Sequence, residues 1–137
     1  PGTRSTSIPS AAPVWVLARD DADPGRAEAL AALGIEVLRV PGGAGGIDIA
    51  AGLRALGAKG LTRVMVEGGG QLAASLLAAD AVDRLAWFRA PAVVGGDGMA
   101  GIAAFGVRTL DNMPRFVQTS ETRLGPDTLA EFARRSA

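Results

Sequence analysis

Short apolar runs alternate with amphipathic stretches along the first 80 residues, and the alternation then gives way to a different pattern. Residues 14–18 (VWVLA) form a run that predicts a buried strand. Asp20, Asp21 and Asp23 supply loop and cap chemistry, and Pro24 fits the first turn of a helix carrying Ala27, Leu30, Ala31 and Leu33. Gly34 is placed to end it. Residues 35–40 alternate like a strand, and 41–46 (PGGAGG) read as a turn. Asp48 opens a second helix, with Ile49, Leu53 and Leu56, that Gly57 or Gly60 ends. Residues 61–67 predict the next strand, with Val64, Met65 and Val66 as its apolar run, and a third helix starts near Gln71. Three such units imply an α/β fold with a largely parallel sheet and right-handed crossovers. After residue 82 the pattern changes. Residues 82–91 (VDRLAWFRAP) read as a strand with Asp83, Arg84 and Arg89 toward water or an interface, 92–98 break at a glycine turn, and 99–114 are irregular. Residues 115–124 and 128–133 read as two strands joined around Gly125, Pro126 and Asp127, an antiparallel C-terminal hairpin. Residues 1–12 read as a Pro-rich lead-in loop and 13–137 as one domain without internal repeats.

Composition removes whole classes of chemistry. The 137 residues carry no Cys, no His and no Tyr. Thiolate catalysis, disulfides, a Ser-His-Asp triad and the usual zinc sites are excluded, and no metal site is expected. Net charge is zero and aromatic content is 4%, so nucleic acid is not an expected partner. No apolar run is long enough for a membrane span, and a soluble, cytoplasmic protein is the expectation. Thirteen of the fourteen basic residues are Arg, the exception being Lys59, which says little about mechanism.

The chemistry-bearing feature is Glu67-Gly68-Gly69-Gly70 at the end of an apolar run and the start of a helix. One reading is a phosphate cradle, because glycines admit a ligand to the backbone and a helix N-terminus presents free N–H groups and a positive dipole end. The other is a tight turn that needs positive φ. Glu67 reads as a general base, a substrate anchor or an electrostatic cap of the helix. The spacing is neither G-x-G-x-x-G nor a Walker A motif. Gly95-Gly96-Asp97-Gly98 is a second turn that could close over the same ligand. Residues 42–46 read as a flexible loop, Asp20, Asp21 and Asp23 as a solvated loop and cap more than a metal site, and Arg19 as a weak phosphate candidate.

The stretch VMVEGGGQLAASLLAADAVDRLAWFRAPAVVGGDG, with RLGPDTLAEFA near the end, resembles the reductase (C-terminal) domain of the bacterial bifunctional riboflavin-biosynthesis deaminase/reductase. That family's signature is an apolar strand, E-G-G, a Leu-rich helix, V-D-x-L, a strand, A-P and a G-G turn, and all occur in order over residues 64–96. The closing R-L-G-x-D matches at Arg123, Leu124, Gly125 and Asp127. The resemblance runs from about residue 13 to the end. It implies a dihydrofolate-reductase-like three-layer α-β-α fold with a mostly parallel sheet. It further implies NADPH-dependent reduction of the ribose of 5-amino-6-(5-phosphoribosylamino)uracil, a phosphorylated ribosylamino-pyrimidine, to the ribityl form. The nicotinamide delivers hydride, so the protein mainly binds and orients two ligands and no residue of the chain is expected to be catalytic. By the resemblance Glu67 contacts the substrate. Gly69, Gly70, Gln71 and Leu72 lie along the NADPH phosphates, with Ala73, Ala74 and Ser75 continuing that helix start. The family's reductase domain is longer at its N-terminus by a segment of roughly half this chain's length or more. Residues 13–137 are therefore expected to be a partial, NADPH-binding portion with little or no reductase activity alone. Two alternatives stay open: a related reductase acting on another pterin or pyrimidine, and a non-catalytic dimerising module. A homodimer is expected, through the C-terminal hairpin or the 82–91 strand.

Overall fold

The computed structural model describes residues 12–43 and 46–135. All but one residue of the expected lead-in loop therefore lie outside the described residues, as does the middle of the 41–46 turn. The chain divides into two compact units, the first ending at Thr62 and the second beginning at Arg63.

The first unit is a βαβ arrangement followed by a helix. Strands β1 (Trp15–Arg19) and β2 (Glu36–Val40) pair in parallel, Trp15 opposite Glu36 through Arg19 opposite Val40. Helix α1 (Pro24–Ala32) connects them. The Asp23 carboxylate accepts the N–H of Gly25 at 2.9 Å, which satisfies one of the free donors at the helix start. Pro24 sits in the first turn, where it sacrifices no hydrogen bond. The chain leaves α1 through Gly34 at φ +75°, a left-handed conformation that glycine adopts without a Cβ penalty. Ile35 and Val40 are the buried apolar residues of this unit. Strands β3 (Gly42–Gly43) and β4 (Gly46–Ile47) then form a two-residue antiparallel ladder. It leads into α2 (Ile49–Ala58), which Asp48 caps by accepting the Ala51 N–H at 2.8 Å. Asp48→Ala removes that acceptor and is expected to cost about 1 kcal/mol. The check is a urea melt of this unit followed by Trp15 fluorescence in a Trp87→Phe background, where the midpoint falls and the slope stays constant.

The second unit holds one helix and an antiparallel sheet. Helix α3 (Gly70–Ala78) buries Ala74 and Leu76. Strands β5 (Arg84–Arg89), β6 (Phe116–Leu124) and β7 (Asp127–Arg134) form a sheet in the order β5-β7-β6, with both pairings antiparallel. The β6–β7 hairpin turns at Gly125, φ +64°, as the sequence predicts, and Asp127, expected in the turn, already pairs with Leu124 as the first residue of β7. A register shift between Gln118 and Ser120 bulges β6 opposite Glu131. Beyond the end of α3, the Asp80 carboxylate pairs with the Arg134 guanidinium at the end of β7.

Two expectations are corrected. Residues 61–67 do not form a strand: no β-strand is assigned between α2 and α3. Among the described residues nothing pairs with the backbone of 63–68, and Met65 is 81% exposed, with Val64 and Val66 also exposed. A strand exists only where a neighbour accepts and donates its ladder bonds, so apolar character alone does not make one. The largely parallel sheet is also not what the described residues show. One pair, β1–β2, is parallel, and the remaining ladders are antiparallel.

Candidate functional site

The mouth of α3 is built from residues 67–71. Gly69 is the cap residue, with φ −67° and ψ 173°, and it has no side chain to offer the helix. The first backbone bonds at this end are the Leu72 and Ala73 N–H groups donating to the Gly69 carbonyl, at 3.0 and 3.2 Å. Among the described residues, the N–H groups of Gly68, Gly69, Gly70 and Gln71 donate to no protein acceptor. Successive unsatisfied N–H groups at the positive end of a helix favour an anion.

The three glycines are there for different reasons. None has positive φ, so the tight-turn explanation does not apply to them. A Cβ on Gly70 would lie 2.6 Å from the Ala100 carbonyl oxygen and 3.2 Å from the Ala103 nitrogen. The Ala103 N–H also donates to the Gly70 carbonyl at 3.0 Å. Gly70 is therefore glycine because a loop backbone lies against it. The nearest atom to a Cβ on Gly68 would be the movable Cδ2 of Leu72, at 2.7 Å. A Cβ on Gly69 would meet nothing within 4 Å. Neither conformation nor protein packing requires glycine at 69, and its bare backbone faces open space beside free N–H donors.

The other expected site residues divide by position. Gln71 and Leu72 are exposed at the mouth, and Ala73 is half-buried. Ala74, at 4% exposure, belongs to the unit's core. The Ser75 hydroxyl donates back to the Gln71 carbonyl at 2.9 Å, so its proton is used within the helix. Glu67 is exposed, and among the described residues its carboxylate accepts no hydrogen bond and forms no ion pair. It lies two residues before the cap and makes no capping bond, which leaves its oxygens available to a ligand.

Segment 100–103, which backs Gly70, carried no role in the sequence reading. Its small residues Ala100, Gly101 and Ala103 were the available signal, since only small residues allow backbone to approach backbone. The Gly95 turn has a conformational reason, φ +69°. An open cleft of about 740 Å³ lies at the opposite end of α3, lined by Leu77, Asp80, Met113, Arg115, Arg134 and others, so the free N–H groups of the mouth do not point into it.

In the first unit Arg19 grips Asp21, Nε donating to Oδ1 at 2.8 Å and the terminal nitrogen to Oδ2 at 2.5 Å. This hydrogen bond, with the guanidinium charge, holds the Asp21 carboxyl below the usual carboxylate range. Whatever stability the pair adds is present at neutral pH and lost as acid titrates the carboxylate, and its solvent exposure keeps that small. Arg39 donates to the Asp20 and Ala22 carbonyls at 2.9 and 3.0 Å, fixing the same loop. Asp23 is a cap, and among the described residues no cluster of three Asp, Glu, His or Cys side chains could hold a metal ion. Among them too, no helix is long and apolar enough to cross a membrane.

Comparison with known proteins decides the family. Residues 4–130 match the family described as the RibD C-terminal domain. The chain belongs to that family. A curated relative, the riboflavin biosynthesis protein RibD of Bacillus amyloliquefaciens, is 30% identical over 128 residues, which is 93% of this chain and 34% of the relative. The chain thus spans about a third of that relative's length. Its fold is shared with two solved structures at 20% identity. Acinetobacter baumannii RibD gives a TM-score of 0.67 over 88% of this chain and 31% of that one. A pyrimidine reductase-like protein of Corynebacterium diphtheriae gives 0.70 over 90% of this chain and 50% of that one. The segment that carries the α3 mouth falls inside the matched RibD C-terminal region.

Proposed function

We propose that this chain is the NADPH-binding part of a riboflavin-pathway reductase. The enzyme reduces the ribose of 5-amino-6-(5-phosphoribosylamino)uracil to a ribityl chain, in the cytoplasm and as a homodimer. The observation that carries the reading is the α3 mouth. Four N–H groups there have no protein acceptor among the described residues, beside a glycine that packing and conformation do not require. It lies within a chain of the RibD C-terminal domain family.

The residues fit a dinucleotide. Gly68, Gly69, Gly70 and Gln71 would hold the pyrophosphate by backbone N–H, with the dipole of α3 adding to the attraction. Leu72 and Ala73 would line the approach, and Ala74 and Ser75 would stiffen the helix from behind. Glu67 would accept a hydroxyl or amine of the pyrimidine substrate. When bound, the nicotinamide supplies the hydride for C1 of the ribose. The chain's own work is then to bind and orient two ligands, which suits a sequence without His, Cys or Tyr. For the homodimer, the outer edge of β5 offers backbone beside exposed Trp87 and Phe88.

The test is an NADPH titration of the chain, with NADH as the comparison and the pyrimidine substrate added afterwards. Saturable NADPH binding that weakens with salt supports the reading; absence of binding to either nucleotide overturns it. Glu67→Gln is expected to weaken the substrate at least tenfold while NADPH affinity stays within about twofold, since a charged hydrogen bond is worth about 1.5–3 kcal/mol. Equal losses for both ligands would make Glu67 an electrostatic element of the helix mouth.

A further inference from the structure

We propose that residues 92–99 form a mobile apolar flap that closes over the ligand held at the mouth of α3, covering a planar heteroaromatic ring rather than the phosphates. This rests on the functional reading above.

Three observations lead to it. The flap's root is fixed to the site. The Ala100 carbonyl and the Ala103 nitrogen lie against Gly70, the first residue of α3, with the Ala103 N–H donating to the Gly70 carbonyl at 3.0 Å. Gly101 sits on the indole of Trp87, where an added Cβ would be 3.5 Å from the ring. Met99 adjoins this root, so one end of the flap starts beside the site.

The flap itself is lightly held, with one 3-10 turn at Gly95–Asp97 as its regular structure. Between residues 92 and 99 the backbone bond found among the described residues is Gly98 N–H to the Gly95 carbonyl, at 3.3 Å. Gly95, Gly96 and Gly98 give the segment freedom at three positions, with Gly95 already at φ +69°. A segment with few buried contacts and few internal bonds opens at little cost.

Its side chains are also unsuited to permanent exposure. Val93 is 97% exposed, Met99 96% and Val94 71%. Three apolar side chains in one short loop, rooted against an anion-binding helix mouth, gain free energy when a ligand ring takes their place against water. Phosphates would gain nothing from them. The chemistry therefore divides: backbone N–H groups take the charged centre of a dinucleotide, and the flap takes one of its rings.

The experiment has two arms on the intact chain, with NADPH as the probe. Hydrogen exchange of a peptide spanning 92–99 is measured with and without NADPH, and NADPH release is timed by stopped flow for wild type and for the V93S/V94S/M99S triple variant. Exchange across 92–99 should slow at least tenfold on binding. The variant should release NADPH at least tenfold faster. Tenfold corresponds to about 1.4 kcal/mol, near the low end for covering one such side chain. The variant's urea midpoint should stay close to wild type, because the replaced side chains are largely exposed in the free chain, with Val94 lying against Gly98 of its own loop; a large shift overturns that placement. NADPH binding with unchanged exchange, or with unchanged release from the variant, overturns the flap and leaves the functional reading standing. Protection that follows protein concentration instead of NADPH overturns it as well, in favour of contact between copies. No NADPH binding by wild type overturns the functional reading and the flap together.

Discussion

Gly70→Ala should destabilise the second unit by about 1–3 kcal/mol, the usual range for overpacking a well-filled contact. The added methyl would meet the Ala100 carbonyl oxygen at 2.6 Å and the Ala103 nitrogen at 3.2 Å. Both are backbone atoms, so the clash cannot be relieved by a rotamer change. Segment 100–103 must move away, and the Ala103 N–H to Gly70 carbonyl bond is lost with it. Alanine's better helix propensity returns less than about 1 kcal/mol, so the sign stays unfavourable. A urea melt followed by Trp87 fluorescence, in a Trp15→Phe background, reads the change, because Gly101 of the displaced segment packs on that ring. An unchanged midpoint would mean that the loop is not seated on Gly70.

Gly69→Val should do the opposite: leave the fold nearly intact and remove nucleotide binding. A side chain at 69 meets no protein atom within 4 Å, and φ −67° with ψ 173° is open to any residue. Its stability cost is the loss of a favourable cap residue, about 1 kcal/mol or less. The isopropyl group would, however, stand where a phosphate must approach the N–H groups of Gly69 and Gly70. Losing one charged hydrogen bond costs about 1.5–3 kcal/mol, so NADPH affinity should fall about tenfold to a hundredfold. Calorimetric titration of wild type and variant checks it. Comparable NADPH affinity in a folded variant would show that Gly69 does not face the ligand.

The pair of variants separates two roles that look identical in the sequence. Gly-Gly-Gly before a helix is legible as a candidate site from its context. Which glycine packs and which is free depends on segment 100–103, about thirty residues later in the sequence. Local features are legible in the sequence. Asp23 and Asp48 cap their helices, Gly34 and Gly125 turn the chain at positive φ, and the β6–β7 hairpin turns at the expected glycine. These depend on residues within a few positions of one another. The 61–67 strand failed for the complementary reason. Its apolar run is real, but a strand is a property of two segments, and among the described residues the second is absent. The resemblance places Ala74 with the cofactor residues at the helix start, and the structure adds that its side chain is buried.

The central claim is that the free N–H groups at the start of α3 bind the pyrophosphate of NADPH. Amide NMR of the labelled chain during an NADPH titration tests it most directly. The account predicts that the N–H signals of Gly68, Gly69, Gly70 and Gln71 show the largest downfield shifts and that pyrophosphate alone reproduces the same subset more weakly. Saturable NADPH binding that leaves those four signals unmoved while shifting others would contradict it.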